Sequence, residues 1–259
     1  MFQTIRLDHA ERVSTITINR PPLNTVSPRT LDELLVAFGE LARRDETRCV
    51  VLTGSGTRAF CAGANLDDKP KEDGDPSVAF REAGRALVDR IETFPKPVIA
   101  AIRGWCIGGG FAIAEACDVR IASDSAKFRT GDAYLGIVPS WGMSLVRLCH
   151  YIGRNRALDM LILGEDIGVA EAKDLGLVSR VVADDKFDAE IAAIAARVAT
   201  GAPLVFRSIK EAIHSQYAEG VEAARHLETY WSERTQGSYD YNEGIAAFKE
   251  KRKPRFEGR

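Results

Sequence analysis

Apolar and polar residues alternate through TIRLDH and VSTITIN near the start of the chain, with a short polar turn between the two runs. That period of two predicts an N-terminal β-hairpin. The period then lengthens. SPRTLDELLVAFGELARRD spaces its leucines along one helical face, with Ser27 placed to cap the helix and Pro28 in its first turn. CVVLTG is a continuous apolar run of strand length, followed by a glycine- and charge-rich loop, SGTRAFCAGANLDDKPKEDGDP, and an amphipathic helix, SVAFREAGRALVDRIETF. PKPVIAAI predicts another buried strand, which runs through GWCIGGG into a small apolar helix, FAIAEAC. DVRIAS and AKFRT predict short strands, and from NRALDMLILG onward the pattern turns helical. Three C-terminal helices are predicted over APLVFRSIKEAIHSQY, GVEAARHLETYWSER and YNEGIAAFKEKRK.

Strands alternating with helices, through crossovers longer than about ten residues, indicate an α/β fold with parallel strands. The C-terminal helices carry too few apolar residues to form their own core. The pattern therefore divides the chain into a core over residues 1–200 and a helical region over 201–259, packed on that core or on another subunit.

Composition narrows the function classes. The 259 residues are 45% hydrophobic and 28% charged, as in a globular protein with material for a sizeable core. A formal net charge of −2 argues against a protein that coats nucleic acid or an anionic membrane. No apolar run approaches the roughly 18 residues of a bilayer span, and MFQTIRLDHAERVSTITINR lacks the layout of a signal peptide. Cys49, Cys61, Cys106, Cys117 and Cys149 are widely spaced with no CxxC pair, which suits buried thiols in a reducing compartment. His9, His150, His214 and His226 have no metal-ligand spacing either. The expectation is a cytoplasmic protein with no metal and no permanently bound cofactor.

The candidate chemistry lies in two glycine turns. Gly108, Gly109 and Gly110 are consecutive, and glycine loses more backbone entropy on folding than any other residue. Either a turn needs positive φ there, or something must approach the backbone closely. CVVLTGSGTRAFCAGAN has the same plan of buried strand, glycine turn and small residues. In open α/β folds, ligands bind beyond the carboxyl ends of the strands, so two such turns side by side could offer two N–H groups to one oxygen. GSGTRA also fits a dinucleotide fingerprint, but it does not open a helix and has no acid at a later strand end, so a nicotinamide or flavin site is disfavoured.

FCAGANL (Phe60 to Leu66), taken with GWCIGGGFAIAEACDVRIAS, closely resembles the paired signature of the crotonase, or enoyl-CoA hydratase/isomerase, superfamily. NRPPLNTVS, which contains Leu23, looks like that family's N-terminal coenzyme A contact segment. KFRTGDAYLGIVPSWG looks like its second catalytic segment, and AFKEKRKPRF like its C-terminal helix. The resemblance implies a spiral of ββα units, a helical C-terminal region that forms trimers or dimers of trimers, and an acyl-CoA thioester substrate. It puts the two oxyanion N–H groups on Ala64 and Gly109. On this reading Gly108 and Gly110 serve the turn, and Gly109 stays bare so that the thioester can lie against it. The resemblance also implies coenzyme A contacts from Phe60 to Ala62 through backbone, and from Phe248 and Lys251 on a neighbouring subunit.

The acids depart from the family pattern. Hydratases of this family use two glutamates, and their positions read Ala112 and Asp132 here. Asp132 is the main candidate catalytic acid. Glu115 is the second, although it sits about 300° around the helix from Ala112, and a buried acid there needs a partner or a raised pKa. Tyr134 and Trp141, with Ser140, lie near Asp132 in sequence and are candidates for the acyl pocket. One base suffices to move a double bond, whereas syn hydration is best served by two acids, which ranks an isomerase slightly above a hydratase. Relatives that hydrolyse, decarboxylate or ring-close acyl-CoAs share the signature. A non-catalytic acyl-CoA-binding protein is the other class.

Overall fold

The hairpin and the helix after it form where the pattern places them in a computed structural model, which describes residues 2–65, 76–135, 144–218 and 238–259 together with Tyr230 and Arg234. β1 (Ile5–Ala10) and β2 (Val13–Ile18) pair antiparallel, and α1 (Pro28–Arg43) is capped by Ser27, whose side chain accepts from the Thr30 N–H at 3.2 Å.

A repeated unit follows. β3 (Cys49–Gly54) turns into the short β4 (Ala59–Cys61) and then α2 (Pro76–Glu92). β5 (Val98–Ile102) turns into β6 (Trp105–Ile107) and then α3 (Gly109–Ala116). β7 (Val119–Ser123) turns into β8 (Lys127–Arg129), a 3-10 turn over Asp132–Leu135, and α4 (Ser144–Leu163). Each unit places its first strand in a large sheet ordered β1-β2-β3-β5-β7-β10 and its second in a small sheet ordered β4-β6-β8-β9, where β9 is Ile167–Gly168 and β10 is Arg180–Val182. Pairing is parallel from β2 to β10, and from β4 to β8. This is the spiral of ββα units. Gly104 makes one of its corners: its φ is +64°, and a Cβ there would lie 2.3 Å from the Arg58 carbonyl oxygen.

The large sheet buries both faces. Ile16, Ile18, Val50, Leu52, Val98, Ala100 and Ile102 face the main core with α1, α2 and α3. Val51, Ile99, Ala101 and Ile121 face α6 (Phe187–Ala199) across a second core with Phe187 and Ile191. That two-sided burial explains the continuous apolar runs CVVL and VIAAI.

The sequence pattern missed some pieces. β4 and β6 are three residues each and lie inside segments read as loop or turn. α5 (Val169–Asp174) is short, and β9 and β10 interrupt the stretch expected to be helical after residue 155. β10 is held by pairing with β7, a long-range contact that no local periodicity reports. α7 (Pro203–Ala218) and α8 (Tyr239–Glu250) match two of the predicted C-terminal helices. The third, GVEAARHLETYWSER, lies outside the described residues except for Tyr230 and Arg234. No single helix among the described residues is long and apolar enough to cross a bilayer.

Candidate active site

The segment before α1 lies alongside the residues that follow β4. Ala62 N–H donates to Leu23 O at 3.0 Å, Val26 N–H to Gly63 O at 2.8 Å, and Asn65 N–H to Val26 O at 2.9 Å. In this parallel bridge between Val26 and Ala64, the bonds on one side come from Gly63 and Asn65. Among the described residues, the N–H of Ala64 itself has no acceptor. Buried Asn24 fixes the segment: its amide donates to Ser55 O (2.9 Å) and Ala59 O (2.7 Å), and its oxygen accepts from Ser55 Oγ (2.9 Å). Nothing in the local pattern marked Asn24, because its partners Ser55 and Ala59 lie more than thirty residues away.

The second turn comes to the same place. Gly108 has φ +52° and ψ −118°, a conformation that needs glycine, and it is the residue before α3. Gly109 opens that helix, so its N–H has no intrahelical acceptor. A Cβ built on Gly63 would lie 3.3 Å from Gly109 N and 3.0 Å from Ile107 O, so the backbone beside Ala64 touches the backbone of the glycine run. Among the described residues, no acceptor meets the N–H of Ala64 or of Gly109. Gly110 departs from the sequence expectation. It lies within helical backbone, without positive φ, and a Cβ there would sit 2.1 Å from Cys61 O, so it serves close packing of α3 on β4 and not the turn.

Asp132 reaches this place from the end of β8. A Cβ on Gly108 would lie 3.4 Å from Asp132 Oδ1 and 3.9 Å from Oδ2, which sets the carboxyl against the turn that leads into Gly109. Burial lifts its pKa above the ordinary aspartate value of 3.8, and its own backbone N–H partly opposes the shift. Ala112, which the family resemblance sets at the first acid position, is buried among apolar neighbours. Tyr134 is exposed and its hydroxyl donates to Ile162 O at 2.8 Å, with the ring against Gly164. Trp141 and Ser140 lie outside the described residues. Phe60 is wholly buried, backbone included, whereas Ala62 and Leu23 are half-buried. Phe248 lies on α8 with its side chain outside those described, and Lys251 is exposed just beyond that helix. Among the described residues, no cluster of His, Cys, Asp or Glu could hold a metal ion.

Glu115 presents a different environment. It is fully buried on α3, and among the described residues neither carboxyl oxygen has a hydrogen-bond partner. The nearby donors are used elsewhere: Arg120 donates to the carbonyls of Leu177, Cys117 and Glu115 itself, Tyr151 donates to the Glu115 carbonyl at 2.9 Å, and Arg147 pairs with Glu92. Burial drives the Glu115 pKa well above 4.5, against the pull of Arg120 and Arg147. The folded state therefore keeps a proton that the unfolded chain releases, and stability falls as pH rises above 4.5 towards the folded-state value. Glu115→Gln, which stays neutral at every pH, is expected to remove a slope of about 1.4 kcal/mol per pH unit over that window. Urea denaturation of both proteins from pH 5 to pH 8 measures it; parallel pH dependences would show that Glu115 is ionised in the folded state.

Comparison with known proteins shows the family. Residues 8–259 match the family described as Enoyl-CoA hydratase/isomerase. The chain is 39% identical over 251 residues to a probable enoyl-CoA hydratase of Bacillus subtilis, covering 95% of each chain. It is 33% identical over 259 residues to the 1,2-epoxyphenylacetyl-CoA isomerase of Escherichia coli, covering 98% of each. The crystal structure of an enoyl-CoA hydratase from Bacillus anthracis superposes with a TM-score of 0.94 at 34% identity, covering 99% of this chain and all of that one.

Proposed function

The chain belongs to the enoyl-CoA hydratase/isomerase family, and on that premise we propose that it is a one-base isomerase of enoyl-CoA thioesters. The observation that carries the proposal is the carboxyl of Asp132, the one set against the Gly108 turn among the described residues, with buried Ala112 at the other acid position. The thioester oxygen accepts hydrogen bonds from the N–H groups of Ala64 and Gly109. As charge moves onto that oxygen the bonds strengthen, and loss of one such donor typically costs about 3–4 kcal/mol in the transition state. The α3 N-terminus adds its dipole. Asp132, ionised, takes the proton from C2 of a 3-enoyl thioester. The electrons form a dienolate, and the resulting carboxylic acid returns the proton to C4, giving the 2-enoyl isomer and regenerating the base.

Coenzyme A then runs along the half-buried Leu23 and Ala62, with its nucleotide met by Phe248 and Lys251 of a neighbouring copy in a trimer. Two observations support the oligomer. Val205, Ile209 and Ile213 form an apolar stripe on α7, each about half exposed. The chain end after α8 bonds to Arg12 and Arg48, which precede β2 and β3, whereas Ala64 and Gly109 follow the opposite ends of β3 and β5.

The test is proton exchange in D₂O with a 3-enoyl-CoA and a 2-enoyl-CoA, followed by mass spectrometry and NMR. Deuterium at C2 or C4 with a migrated double bond is the expected result. A 3-hydroxyacyl product would replace the proposal with hydratase chemistry and bring Glu115 forward as the second acid. Tight coenzyme A binding with no reaction of any acyl thioester would favour a non-catalytic binder.

A further inference from the structure

After α8 the chain doubles back along the helix it has just left. Arg252 takes the Glu243 carboxylate in a two-pronged pair (Nη1 2.6 Å, Nη2 2.8 Å), and Arg255 N–H donates to Glu243 Oε1 at 2.7 Å. The ring of Phe256 lies over Gly244, where a Cβ would come within 3.4 Å. The strap ends at the start of α8 on Asp240, which is 4% exposed. Its carboxylate accepts from Glu257 N–H (2.6 Å) and Gly258 N–H (2.9 Å), and its own N–H donates to Arg259 O (3.1 Å). From the large-sheet side, Arg48 Nη2 donates to Glu257 O at 3.0 Å and Arg12 Nη1 to Phe256 O at 3.4 Å.

Chain termini usually fray unless tied down, and a buried carboxylate given to two backbone N–H groups is a costly tie for a surface tail. Among the described residues, no other helix or strand packs along α8 for more than isolated contacts, so the strap links this helix to the large sheet. At the far end, Arg252 N–H bonds back to Ala247 O at 3.0 Å and Lys251 takes φ +55°. That left-handed position usually falls to glycine. Lys251 takes that position here, at the turn that leads into the strap.

We infer that Asp240 is a positioning residue: by holding the strap it sets α8, and with it Lys251, for contact with the nucleotide half of coenzyme A. The inference rests on the reading of α8 as a nucleotide contact, and the experiment separates the two. Affinities of the full-length protein for coenzyme A and for pantetheine, which lacks the nucleotide, are measured by calorimetry for wild type, Asp240→Ala, Arg48→Gln and Lys251→Ala. Lys251→Ala and Asp240→Ala are each expected to weaken coenzyme A about tenfold, and Arg48→Gln about threefold, with pantetheine unchanged. If Lys251→Ala weakens coenzyme A but the two strap variants bind like wild type, the positioning role is overturned and the nucleotide contact stands. If Lys251→Ala also binds like wild type, the contact itself is wrong and the inference falls with it. Equal weakening of both ligands by Asp240→Ala would reduce the strap to a structural part. Should Asp240→Ala fail to fold, Arg48→Gln, at an exposed bond, decides between the same outcomes.

Discussion

Changing Asp132 to asparagine is expected to lower turnover about 10²- to 10⁴-fold and to leave coenzyme A affinity unchanged, a loss of about 3–5.5 kcal/mol of transition-state stabilisation. The substitution keeps the shape of the side chain and removes its capacity to accept and return a proton. The carboxyl lies against Gly108, one residue from Gly109, whose N–H meets no acceptor among the described residues, so on the proposed reading the carbons beside a thioester oxygen bound to that N–H come within reach of the acid. Its partial burial makes it a stronger base than an exposed aspartate, because the pKa lies above 3.8. The base works ionised. Wild-type turnover therefore climbs as pH rises through that raised value and falls as pH drops through it, and this acid limb disappears in the variant. Turnover against pH for both proteins, on whichever thioester exchanges deuterium, reads out the loss and the limb together. A variant as active as wild type would remove Asp132 from the chemistry. Glu115 would be next, but its environment fits the work less well. Its carboxyl is fully enclosed and burial pushes its pKa well up, whereas Asp132 remains partly open at the turn.

What the sequence conveyed about this site follows from how local each feature is. The paired glycine turns and their flanking apolar strands are encoded within short windows, so the turns were legible before any contact was known, and the family resemblance those windows carry put the candidates on Ala64, Gly109 and Asp132. The support beneath them was not. Asn24 bonds to Ser55 and Ala59, more than thirty residues away, and β4 and β6 exist because they pair with each other across a long crossover. The same limit explains the misreading of Gly110. A glycine run signals that side chains are excluded, but not whether a turn, a ligand or a neighbouring strand excludes them. Gly108 proved to be the turn and Gly110 the packing contact. The strap that ends on Asp240 left no pattern at all, since its bonds use backbone N–H groups that every residue carries.

Gly110→Ala is expected to cost the fold about 3 kcal/mol or more. The added methyl would lie 2.1 Å from Cys61 O, 2.8 Å from Cys61 C and 2.7 Å from Cys61 Cβ. Two of these three atoms are backbone of β4, and Cys61 is fully buried, so no flexible side chain can give way. α3 must then lift from β4 and carry the Gly109 N–H away from the strand that positions Ala64. Stability and turnover are therefore predicted to fall together. Gly39 supplies the control, because it lies within α1 and a Cβ there meets nothing within 4 Å. The same substitution at Gly39 should stabilise the protein by about 0.5–1 kcal/mol through helix propensity alone. Urea denaturation of the two variants beside wild type measures both shifts. Opposite signs are expected. A Gly110→Ala protein as stable as wild type would mean that α3 and β4 can part at little cost, in which case the spacing of the two N–H groups would not be built into this packing.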